Sequence, residues 1–267
     1  MDIKIIFALV MSMFRLLILS TFLLWAFAIK AQDSLPGPIQ LDRPDQTECP
    51  FIVPSGYFQM ENGVSFEQVS DNISSIIHPT SLWKYGVNDK AEFRLITEFN
   101  TIKIDSFSST GLSPVTIGFK TKICEENGII PKTSFIGHLT LPALASKDLE
   151  ATYYAPAFRF TMQHTLSDRL CLAYNLGAEW DGETAEPTFI YTLTSGLSIT
   201  DRMGLYAELY GFIPQFNHVD HRFDCGFVYS IGPGFIMDLS GGAGLSENSP
   251  QWYVALGASF RFKVAGK

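Results

Sequence analysis

From residue 57 to residue 262, apolar and polar positions alternate with a period of two, the pattern of strands whose two faces meet different surroundings. Over 57–67, Phe58, Met60, Val64 and Phe66 alternate with Gln59, Glu61, Ser65 and Glu67. Over 92–100, Phe93, Leu95 and Phe99 alternate with Glu92, Arg94 and Glu98, and over 115–123, Ile117, Phe119 and Ile123 alternate with Gly118, Lys120 and Lys122. Over 170–180, Leu172, Tyr174, Leu176 and Trp180 stand against Cys171, Asn175, Gly177 and Glu179. Similar stretches at 74–85, 133–141, 155–165, 188–199, 204–212, 222–229, 235–245 and 251–262 bring the prediction to twelve strands.

Most of these strands approach the roughly 9–11 residues that a tilted strand needs to cross a bilayer. Their connections alternate in kind. One set is tight, at 87–90, 167–169, 200–202 and 232–234, with 125–131 a longer exception. The other set is longer and polar, at 100–114, 142–156, 181–187 and 213–221. Short turns at one end and long loops at the other fit a bacterial outer-membrane barrel. A soluble sandwich would also alternate. The barrel is favoured by the aromatics at strand ends, Trp83, Tyr85, Trp180, Phe223, Tyr229 and Trp252, which match interfacial girdles. It is favoured again by the C-terminal strand, where Gly257, Phe260 and Phe262 resemble the signal that such barrels present to their assembly machinery. The expected fold is therefore all-β: a transmembrane antiparallel up-and-down barrel of about 12 strands over 57–262, with both ends of the chain periplasmic and a short tail at 263–267.

The first 31 residues stand apart. Arg15, the apolar run 16–29 and the small residue Ala31 read as a signal peptide cut after Ala31, with translation starting at Met11 or Met13. Residues 32–56 hold five prolines, Pro36, Pro38, Pro44, Pro50 and Pro54, and read as an extended periplasmic segment ahead of the barrel.

Composition narrows the function classes. Only 17% of residues are charged and 13% are aromatic, whereas soluble domains carry about 25% charged residues. A net charge of -8 lacks the basic footprint of a nucleic-acid binder. Cys49, Cys124, Cys171 and Cys225 form no C-x-x-C and read as isolated small apolar residues. No cofactor is indicated. His218 and His221 with Asp220 lie in a predicted loop, where solvation is a simpler reading than metal binding, so no metal is expected.

Residues 41–63, Leu-Asp-Arg-Pro-Asp-Gln-Thr-Glu-Cys-Pro-Phe-Ile-Val-Pro-Ser-Gly-Tyr-Phe-Gln-Met-Glu-Asn-Gly, resemble the opening signature of the outer-membrane transporters filed as "putative MetA-pathway of phenol degradation" proteins. The resemblance is closest through 42–59, with Cys49 where Ser is expected, and extends loosely to Phe262. It implies a Gram-negative outer-membrane barrel associated with passage of small compounds, aromatic ones among them. It brings no established site residues.

The candidate site is the lumen. On the polar phase, Glu92, Arg94, Glu98, Lys120, Lys122, Arg159, Glu179, Glu208, Asp224, Asp238 and Arg261 are expected to line it. They line either a polar conduit or a narrow barrel braced by paired charges, since twelve strands lie between filled and open interiors. Asp42, Arg43, Asp45 and Glu48 form the densest charge cluster, to be placed either as a plug folded into the barrel mouth or as a periplasmic cap, the cap slightly favoured. The leading functional expectation is passive transport of small molecules, with outer-membrane lipid and the assembly machinery as partners. The alternative is a closed structural or ligand-binding barrel. A third is a lipid-acting enzyme using His164 and Ser195, which share the apolar phase, although no G-x-S-x-G is present.

Overall fold

The computed structural model describes residues 37–264. The expected leader and the last tail residues lie outside the described residues. Thirteen strands form one antiparallel sheet: β1 (Tyr57–Ser70), β2 (Ile73–Asn88), β3 (Ala91–Ile104), β4 (Phe107–Leu112), β5 (Val115–Cys124), β6 (Lys132–Leu141), β7 (Ala155–Thr165), β8 (Leu170–Glu179), β9 (Thr188–Thr200), β10 (Met203–Pro214), β11 (Asp220–Gly232), β12 (Phe235–Gly244) and β13 (Trp252–Lys263). Each wall strand pairs with its sequence neighbour, and β1 pairs with β13 from Tyr57↔Lys263 to Gln68↔Trp252, so the sheet closes on itself. Closure removes every strand edge from the lipid.

The wall has twelve positions because β4 and β5 share one. β3 pairs with β5 over Ala91–Ile96 and with β4 over Phe99–Ile104. The stretch 100–114, expected to be a long loop, is thus a tall hairpin standing on the wall. Its sequence hid it: Ser108, Ser109 and Thr110 show no apolar alternation. The loop after β6 crosses β4, where Leu112 N donates to Ser146 Oγ at 2.9 Å and Ser146 N to Leu112 O at 2.8 Å.

Burial is inverted relative to a soluble protein. Phe93 and Phe119 are 49% exposed, while their neighbours Glu92, Arg94 and Lys120 are at most 1% exposed. An apolar exterior around a charged interior is the arrangement of a barrel in a bilayer. Two aromatic belts ring it. Tyr85 and Phe262 both register with Phe58 near the end where β1 begins and β13 ends. Phe223 and Trp252 both register with Ala243 near the other end. No helix among the described residues is long and apolar enough to cross a membrane.

Candidate functional site

Residues 37–56 form no strand or helix, and their prolines remove donors that a ladder would need. Many of their backbone groups bond side chains that the wall points inward. Beside β13 and β1, Arg261 Nη2 donates to Gly37 O at 2.7 Å and Gln59 Nε2 to Gln40 O at 2.8 Å. Asp42 N and Arg43 N donate to Glu61 Oε2 at 2.9 and 3.1 Å. Arg43 then pairs with Asp238 on β12 at 3.1 Å.

The segment next crosses the lumen. Gln46 N donates to Glu208 Oε2 on β10 at 2.7 Å, and Thr47 Oγ1 bonds Thr192 Oγ1 on β9 at 2.6 Å. Glu48 and Asn175 on β8 exchange two bonds: Glu48 N donates to Asn175 Oδ1 at 2.8 Å, and Asn175 Nδ2 to Glu48 O at 3.0 Å. Arg159 on β7 donates to Gln46 O at 3.1 Å, and Ser134 on β6 donates to Pro50 O at 2.6 Å. The return passes Lys120 on β5, which donates to Cys49 O at 2.8 Å, and Glu92 on β3, which accepts from Val53 N at 2.7 Å. Lys84 on β2 completes the circuit through Asp42 at 2.9 Å. Among the described residues every wall position except β11 therefore contributes a polar contact to the segment, and its stretch 42–53 lies within the barrel.

Charge divides the lumen. On one side Lys84, Arg94 and Lys120 surround Asp42, with Glu61 beside Lys84 and with Glu92 at 3.3 Å from Arg94 and 3.9 Å from Lys120. Burial alone would raise the Asp42 carboxyl, but Lys120, Lys84 and Arg94 outweigh it and hold it well below the ordinary carboxylate range. Glu48 is likewise lowered: burial opposes ionisation, and Arg94, at 2.5 Å, prevails. On the opposite side, Glu208 and Asp224 sit directly across β10 and β11 from each other. Burial first, then the nearby Glu208 and Asp224 carboxylates, push Asp45 well above its usual value.

The remaining expected lumen residues are spread along the axis. Arg159 lies 3.7 Å from Glu179 and 3.9 Å from Glu48. Glu98 accepts from Thr80 at 2.7 Å near the tall hairpin. Asp224 accepts from Tyr253. Lys122 is at the rim, 2.7 Å from Glu125 in the turn after β5, and so stands apart from the central cluster. Two central residues escaped the sequence reading of the site, while Glu61 had the right phase but no cue to a partner. Lys84 follows a register shift between Ile77 and Thr80 that breaks the alternation, and Asn175 looked like an ordinary polar-phase residue.

On the outer wall, Leu172 registers with both His164 and Ser195, placing these two residues two strands apart. His164 Nε2 instead lies 3.4 Å from the Tyr174 hydroxyl. His221 Nδ1 bonds the Tyr191 hydroxyl at 2.7 Å, and Asp220 binds Arg222 at 2.6 Å. Phe260 and Phe262 stack on the exterior with centroids 6.2 Å apart, next to Phe58 on the closing strand.

A family model described as "Putative MetA-pathway of phenol degradation" matches residues 41–262. The fold is that of bacterial outer-membrane channels. The COG4313 outer membrane channel from Pseudomonas putida F1 superposes with a TM-score of 0.67 and 11% identity, covering 84% of this chain and 100% of that one. The KdgM porin and the NanC porin each superpose with a TM-score of 0.51 and 9% identity, covering 76% of this chain and 98% of theirs. No curated protein matches the sequence.

Proposed function

The chain belongs to the family described as "Putative MetA-pathway of phenol degradation", and from that premise we propose that it is a passive outer-membrane conduit for small molecules, closed at rest by its own residues 37–56. One observation carries this reading. The lumen is polar and charge-lined, yet it is filled by a segment that adds no strand and is held by hydrogen bonds, ion pairs and side-chain packing instead of a ladder. Such a segment can leave without breaking the ladder that closes the wall. The family description makes small aromatic compounds the first solutes to try. No nucleotide motif accompanies the barrel, so movement follows the solute gradient.

Around the segment Gln59, Glu61, Ser134, Thr161, Asn175 and Ser259 are at most 1% exposed. This filled cross-section supports a second reading, a barrel braced shut for good. A lipid-acting enzyme is the weakest fit. Ser195 and His164 stand two strands apart, and His164 Nε2 lies 3.4 Å from the Tyr174 hydroxyl instead. Phe260 and Phe262 on the last strand are the proposed contact for the assembly machinery.

The test is solute uptake by liposomes holding the refolded protein, with and without residues 37–56, using small aromatics and sugars of similar size. Uptake that rises on removing the segment supports the gated conduit. No uptake from either form sinks it and leaves the braced barrel.

A further inference from the structure

The Asp42 carboxylate is held as a bound ligand would be. Lys84 Nζ and Arg94 Nη1 each lie 2.9 Å from Oδ2, and Lys120 Nζ lies 2.8 Å from Oδ1 and 3.0 Å from Oδ2. The backbone N–H of Cys49 adds a fourth donor group at 3.0 Å from Oδ1. Both oxygens are saturated with donors, and the three cations are at most 1% exposed. Charge-assisted bonds of this length are among the strongest that a carboxylate makes.

The three cations belong to the wall, on β2, β3 and β5, and do not move with the segment. Among the described residues two wall carboxylates, Glu61 and Glu92, lie within ion-pair distance of them. Without Asp42 and Glu48, the cluster of Lys84, Arg94 and Lys120 therefore keeps one more positive charge than negative. A buried cation without a partner is strongly destabilising, so the patch calls for one anion with two planar oxygens.

We propose that Lys84, Arg94 and Lys120 form a carboxylate-binding site that Asp42 occupies from within the chain, and that a small monocarboxylate solute takes the same position once Asp42 is gone. As a step in transport this rests on the conduit reading above; as a binding site it stands apart from it. Asp42 is tethered, which corresponds to an effective concentration on the order of mM, and its own N–H is anchored on Glu61 at 2.9 Å. A free monocarboxylate therefore competes poorly with the intact chain and binds readily when the Asp42 and Glu48 carboxylates are both removed.

The experiment uses the full-length chain carrying Asp42→Gly with Glu48→Gln, which leaves Lys84, Arg94 and Lys120 facing Glu61 and Glu92. It is refolded in detergent, and its thermal unfolding is followed as sodium acetate or sodium benzoate is added. Sodium chloride at equal ionic strength and neutral acetamide are the controls. The expected result is a saturable rise in Tm with either carboxylate and not with the controls. At one hundred times its Kd, the ligand shifts the unfolding equilibrium about 100-fold. The intact chain shows no such rise, and adding Lys120→Met to the Asp42→Gly, Glu48→Gln chain removes it. Asp42→Ala, which also vacates the carboxylate position, replaces the glycine if the latter loosens the segment. Carboxylates that do no more than chloride in both variants, or a rise that survives Lys120→Met, overturn the site. Liposome uptake is scored separately: a Tm response without uptake removes the conduit and leaves the binding site.

Discussion

The guanidinium of Arg43 lies 3.1 Å from Asp238, in space that a Cβ on Gly63 would take, since that atom would come within 2.1 Å of Arg43 Nη1. Gly257 registers with both Gly63 and Asp238, and a Cβ there would lie 2.2 Å from Asp238 Oδ2. Facing glycines on β1 and β13 thus cut a notch through which the inner segment reaches a carboxylate on β12. Gly257, read in the sequence as part of an assembly signal, also has this place in the lumen.

Gly63→Val should expel Arg43 from the notch and strand Asp238. Removing one partner of a buried pair costs about 3–5 kcal/mol, and the 20% exposure of the Arg43 side chain puts the effect at or below the lower end. Liposome uptake should rise and Tm should fall. Arg43→Gln should do the same, and the double variant should be no worse than either single one, because both break one interaction. Additive losses in the double variant would refute the notch.

Asp42 and Asp45 give the closed state opposite pH dependences. Asp42 is held below its unfolded value of about 3.9. Its contribution is complete above that value and is lost as pH falls through the folded pKa. Asp45 is raised, so its contribution is greatest below about 3.9 and declines as pH rises through its folded pKa. The segment should therefore be held most tightly at mildly acid pH and loosen toward neutrality. Asp45→Asn should flatten the rise in uptake between pH 4 and 8 and leave the acid limb unchanged. A wild-type profile already flat over that range would contradict this.

The turn after β5 offers a contrast. Hydrogen bonds from Lys122 and Lys132 lower Glu125 to about 2, yet its side chain is 58% exposed. Water and salt screen such pairs, so Glu125→Gln should cost less than about 1 kcal/mol, with the difference shrinking as salt is raised. Being a lowered carboxyl, it contributes above about pH 4.3 and loses that contribution as pH falls through about 2. A change in uptake in this variant would mean that the rim, and not only the centre, governs closure.

Phe262 lies 5.3 Å from Phe58 across the seam where β13 closes on β1. Phe262→Ala should lose about 0.5–1.5 kcal/mol of aromatic pairing. If Phe260 and Phe262 are read by the assembly machinery, machinery-assisted insertion should slow several-fold while unassisted folding into detergent slows little. Equal slowing in the two assays would reduce Phe262 to a packing residue.

Strands such as β3 and β5 were legible because a bilayer outside and a polar interior force Phe93 against Arg94 and Phe119 against Lys120. Where that contrast ends, the signal ends. Ser108 to Thr110 rise on the tall hairpin and need no apolar phase, so β4 read as a loop. The charged side chains of the lumen were visible one by one, but their partners were not. Arg94 meets Asp42 from a proline-rich segment with no periodicity, and neither residue carries a cue to the other. Placing Asp42 to Glu48 as plug or cap turned on such contacts, which only three dimensions supply.

The inner segment also bears on how the barrel is built. Its bonds are among the longest in sequence that the chain makes: Arg43 to Asp238 spans 195 residues and Gly37 to Arg261 spans 224. Contacts so distant form only after the entropy of the intervening loop has been lost. Residues 37–56 precede every strand in the chain, yet they can seat only when β12 and β13 are in place. The first part of the barrel region to be synthesised is thus the last to settle, and its arrival marks the moment at which the ring has closed.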